Sequence, residues 1–80
     1  MKELTYKGKR FDFILNQSYS NGPFIERSLN EKLIGHININ TNIDEYPNFS
    51  DCKVGSKKEK EVRREYKKAQ LYFKKMLSLL

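Results

Sequence analysis

Tryptophan is absent from this chain, and cysteine and histidine occur once each. With Cys52 alone, no intrachain disulfide can form, so packing and hydrogen bonds must hold the fold. One Cys and one His fall short of the four ligands of a usual structural zinc site. The glycines form no phosphate-cradling loop, Walker motif or dinucleotide fingerprint. No apolar run approaches the roughly 20 residues of a membrane span, and the opening MKELTYKGKR lacks a signal-type apolar core. A cytoplasmic, reducing setting is therefore expected. In that setting the glycosylation-like triplets Asn16-Gln17-Ser18 and Asn48-Phe49-Ser50 are accidental matches.

Catalytic chemistry is equally scarce. A nucleophile needs a base beside it, and His36 is the only histidine, set in the strand-like LIGHINI. No spacing ties it to Cys52. Acidic residues are scattered apart from Asp44-Glu45, which falls in a loop-like stretch. The inventory predicts no enzyme, no cofactor and no metal site.

What the chain does have is aromatics and positive charge. Five Tyr and five Phe, patterned regularly, argue for a folded domain despite a mean hydropathy of −0.80. Eighty residues make a single domain, and one this small buries only about 60% of its unfolded surface, which implies a thin core. The net charge of +6 is unevenly placed: residues 53–80 carry ten basic and three acidic side chains, leaving residues 1–52 close to neutral.

The pattern divides the chain 1–80 into a sheet-forming part (1–40), a connecting loop (41–55) and a helix (56–80). Leu4 and Tyr6, then Phe11, Phe13 and Leu15, alternate at period two, predicting an antiparallel pair over 3–7 and 10–17. Gly8 is expected to supply a positive φ at their turn. Ile14 falls on the opposite face with Asp12, either under the helix or at a contact surface. QSYSNGP is a turn-rich loop with Tyr19 at its tip.

Residues 24–40 admit two readings. Ile25, Leu29, Leu33 and Ile37 recur every four residues, as a helix from Phe24 to Leu33 would require. Yet Asn30-Glu31-Lys32 splits the stretch, and Gly35 with the Ile37/Ile39 alternation favours strands. A second hairpin, 24–29 with 33–39, is the preferred reading. Ile43, Tyr46 and Phe49 are expected to pin the following loop to the core.

Ser56 and Glu59 form an S-x-x-E capping box that opens the helix. Val62, Tyr66, Ala69, Phe73, Met76, Leu77 and Leu80 then fall in one apolar stripe at 100° per residue, and Glu59–Arg63 is a favourable i,i+4 pair. The fold class is thus α+β: a small antiparallel sheet of three or four strands with one long C-terminal amphipathic helix across it.

The helix's basic side chains are the one positive functional signal. Lys57, Lys60, Arg63, Arg64, Lys67, Lys68, Lys74 and Lys75 are the candidate binding residues, with Lys7, Lys9 and Arg10 near the first turn as contributors. Such a surface suits nucleic acid or a nucleoprotein through phosphate neutralisation, or an acidic protein surface. It can equally be a solvated face that only aids solubility. Membrane binding is not expected, because the core occupies the apolar stripe. Leu71 projects from the basic face as a candidate interface anchor. The 4-3-4-3-4 spacing from Val62 to Leu80 also fits a two-helix coiled coil, so a homodimer is a second use of the stripe. The alternative function is a small inhibitor or adaptor that binds a host protein, by class analogy with phage-encoded and anti-CRISPR proteins.

Overall fold

The computed structural model describes residues 3–45 and 49–79. Its elements are β1 (Leu4–Lys7), β2 (Asp12–Asn16), β3 (Phe24–Leu29), β4 (Lys32–Asn38) and α1 (Lys57–Ser78). The strands pair antiparallel in sequence order as a four-stranded meander. The helix packs across one face, giving the expected α+β architecture. Residues 24–29 form a strand, which excludes the helical alternative. The four-residue recurrence is coincidental: Ile25 and Ile37 are buried partners, whereas Leu29 and Leu33 lie exposed at the hairpin end.

Period two decides which side chains meet the helix. Leu15 pairs with Ile25, Ile25 with Ile37, and Tyr6 with Phe13, all on the covered face. From α1, Val62, Tyr66, Ala69 and Phe73 close the core, with Leu77 packed at its margin. Phe13 meets Tyr66 edge-on at 5.3 Å and Tyr72 lies 5.2 Å from Tyr6. Ile14 faces the other way, beside Thr5 and Glu26 on the open side of the sheet. Leu80, assigned to the stripe, lies outside the described residues.

The second hairpin turns through Asn30 and Glu31, at φ 51° and 66°, between the paired Leu29 and Lys32. A two-residue loop with both φ values positive matches the twist of the flanking strands. Asparagine tolerates this conformation, but glutamate has no local hydrogen bond to offset its Cβ strain. Glu31→Gly is expected to stabilise the protein by about 0.5–1 kcal/mol in urea denaturation. A loss of stability would show that the glutamate is unstrained. On the far side of this turn the register shifts, so that Arg27 opposes Gly35, Ser28 opposes Leu33, and Ile34 is the extra residue.

Gly8 has a different role from the one expected. Its φ is not positive; the positive-φ glycines are Gly22 and Gly55. A Cβ at Gly8 would collide with Oε1 of Glu65 and sit 3.1 Å from the Phe11 carbonyl oxygen. Glycine is needed here for close approach. The Glu65 carboxylate accepts the backbone N–H of Arg10 (3.1 and 3.2 Å) and of Phe11 (3.3 Å), tying the first turn to the helix.

Helix side chains gather the loop after β4. Gln70 donates to the carbonyls of Ile39 and Thr41 at 2.8 and 2.7 Å, and Arg63 donates to that of Ile43. Ile43 and Phe49 are buried as expected, with Phe49 stacked on Tyr66 at 5.3 Å. Tyr46, the third expected pin, lies outside the described residues. The helix start keeps half of the capping box. Ser56 Oγ accepts the Glu59 N–H at 3.1 Å, but the Ser56 N–H donates to the Lys53 carbonyl and Glu59 pairs with Arg63.

The loop is anchored by an ion pair under the helix. Arg27 projects from β3 into the core, 1% exposed, and forks onto Asp51 at 2.5 and 3.2 Å. Its Nε donates to the Tyr66 hydroxyl at 3.3 Å, and its guanidinium lies 4.6 Å from the Phe11 ring centroid. Gly35, opposite Arg27, leaves room for this group: a Cβ there would come within 3.2 Å of the Tyr66 hydroxyl. Desolvation pushes the Asp51 carboxyl up, but hydrogen bonding and the charge of Arg27 outweigh it and hold the pKa below the ordinary value.

Candidate functional site

α1 sorts its charges by sign. Glu59 is buried and bonded to Arg63; Glu65 is buried on the backbone of the first turn. Glu61 is half-buried and pairs with Arg10 at 3.0 Å. All three carboxylates of the helix are thus engaged within the molecule. The exposed residues of α1 are Lys57, Lys58, Lys60, Arg64, Lys67, Lys68, Leu71, Lys74, Lys75 and Ser78, with no acid among them. The solvent side of the helix therefore carries charge of a single sign.

Seven of the eight candidate residues lie on that side. Arg63 does not. It flanks the apolar stripe, where it donates to Ile43, pairs with Glu59 and sits 5.7 Å from the centroid of Phe49. Its place one turn after Glu59 and beside Val62 was the available signal that it turns inward. Lys67 reaches Asp44 at 2.8 Å, a pair between exposed side chains that contributes little and screens readily. Lys58, outside the predicted set, lies 3.7 Å from Asp51.

The turn from β1 to β2 extends this surface. Lys9 and Arg10 share a groove with Glu61, Arg64, Glu65 and Lys68, which the tie from Glu65 to the turn holds in place. Lys7 lies apart, opposite Asp12 on the open face of the sheet. The apolar stripe offers no free seam over most of its length, because Val62, Tyr66, Ala69 and Phe73 are covered by the protein's own core.

The open sheet face has another character. Tyr19 folds back onto it, 4.4 Å from Phe24 and stacked at 6.0 Å on His36, and its hydroxyl donates to Glu26. Glu3, Ile14, Asn16, Gln17, Ser18 and Glu26 line a hollow beside this cluster, so carboxylates dominate its charge. Cys52 lies against the core, its thiol pushed up by burial and then by the charge of Asp51, which opposes thiolate chemistry. Among the described residues, no three of His, Cys, Asp or Glu converge as a metal site, and no helix is long and apolar enough to cross a membrane.

The class these features define is a two-layer α+β domain: an antiparallel meander under one helix with a cationic outer side. No family model, curated protein or solved structure matches the chain.

Proposed function

We propose that the protein is a small non-enzymatic module that binds nucleic acid, free or within a nucleoprotein, through the outer side of α1. Lys57, Lys60, Arg64, Lys67, Lys68, Lys74 and Lys75 are the contact residues, working in the cytoplasm without a cofactor. The supporting observation is the engagement of Glu59, Glu61 and Glu65 within the molecule, which leaves none of the helix's own carboxylates among its exposed residues. A solvated face serving only solubility has no need of that segregation. Lysine and arginine at phosphates release counterions, so affinity must fall steeply with salt.

Fluorescence anisotropy of labelled duplex DNA and RNA against the protein, from about 20 to 300 mM salt, tests the reading. With four to six phosphates contacted, log K is expected to fall against log salt with a slope of roughly −4 to −5 on duplex DNA. No binding at the lowest salt sinks it.

A second reading, an inhibitor or adaptor seated on an acidic protein surface, is favoured by Leu71, 70% exposed amid the lysines. An exposed leucine ringed by cations suits a protein pocket with an acidic rim better than a phosphate backbone. A stoichiometric protein partner that survives nuclease treatment and is lost with Leu71→Asp would favour it.

A further inference from the structure

The groove between the first turn and the helix has more structure than a charged surface needs. Four cations line it, Lys9 and Arg10 from the turn and Arg64 and Lys68 from successive turns of α1. Its two carboxylates are occupied: Glu65 by the backbone N–H groups of Arg10 and Phe11, and Glu61 by Arg10 at 3.0 Å. Lys9, Arg64 and Lys68 form no ion pair among the described residues. Like charges so placed repel, and Arg64–Lys68 at i,i+4 is unfavourable in an isolated helix. The fold nevertheless holds Lys9 against them, since Glu65 fixes the turn and only glycine at position 8 permits that contact.

We propose that this groove is a discrete seat for one phosphate group, bound by Lys9, Arg64 and Lys68, with Arg10 held at its rim by Glu61. The guanidinium fork and two ammonium groups match a tetrahedral anion with several acceptor oxygens. The concave wall focuses their field where an open helix face would disperse it. This seat deepens the nucleic-acid reading by assigning a backbone phosphodiester to it. The same chemistry would take free phosphate.

Amide NMR of the full chain, titrated separately with inorganic phosphate and a single-stranded DNA dodecamer, tests the assignment. Lys9→Ala/Arg64→Ala/Lys68→Ala is compared with Lys57→Ala/Lys60→Ala/Lys74→Ala, which removes equal charge elsewhere on the same side. Expected are shifts in the amides of residues 9–11 with either probe, lost in the groove variant. That variant should also lose at least tenfold more dodecamer affinity than the control. Equal losses in both variants would overturn the seat and leave diffuse nucleic-acid binding standing. Response to inorganic phosphate alone would keep the seat and remove the nucleic-acid reading. Silence with both probes would remove both.

Discussion

Replacing Asp51 with alanine is expected to lower the free energy of unfolding by about 3 kcal/mol, in the range seen when one partner of a buried ion pair is removed. Arg27 is 1% exposed, so the variant would keep a buried guanidinium with the Tyr66 hydroxyl and aromatic faces as its remaining described partners. A domain of 80 residues has roughly 4–12 kcal/mol in all, so the loss is a large share. The loss should depend on pH. The folded Asp51 pKa lies below its unfolded value, so the pair's contribution is fully present above the unfolded value and disappears as pH falls through the lowered folded one. Urea titrations of wild type and Asp51→Ala should differ most near neutrality and converge in acid. Arg27→Met/Asp51→Ala, which removes both charges, should recover much of the deficit. A single variant within about 0.5 kcal/mol of wild type would show the pair to be dispensable.

On the binding side, Lys60→Glu/Arg64→Glu/Lys68→Glu is expected to reduce nucleic-acid affinity at low salt by at least about 100-fold, and to lower the salt slope by about 3, for three lost phosphate contacts. All three side chains are exposed and form no ion pair among the described residues, so circular dichroism and melting should be nearly unchanged. Lys7→Glu/Lys32→Glu, on the sheet, should have a much smaller effect. If the triple reversal leaves affinity intact, the working surface is elsewhere.

The meander and helix were legible because each depends on local periodicity: Phe11, Phe13 and Leu15 at two, Val62, Tyr66 and Phe73 at helical spacing. Arg27 was not. It occupies an inward position in FIERSL, between Ile25 and Leu29, but an arginine alone gives no sign that a partner waits 24 residues away in an irregular loop. Gly8 was misread for a related reason. A glycine beside a hairpin suggests backbone freedom, whereas the constraint comes from Glu65, which lies far along the chain and meets the turn only after folding. The basic face could be read from a helical wheel. The same wheel hints that Arg63 leaves the face, one turn after Glu59 and beside Val62, whereas that Lys9 joins its groove depended on tertiary contacts which no wheel contains.

The engagement of Glu59, Glu61 and Glu65 within the molecule also links ligand binding to folding. In the extended chain these three glutamates alternate with lysines and arginines, so the segment has mixed charge along its length. Docking the helix withdraws the negative charges, and the single-sign surface comes into being only with the folded state. A polyanion that prefers this surface must therefore stabilise the fold by mass action, raising the melting temperature with the logarithm of its concentration over the dissociation constant, less whatever it gains by binding the unfolded chain.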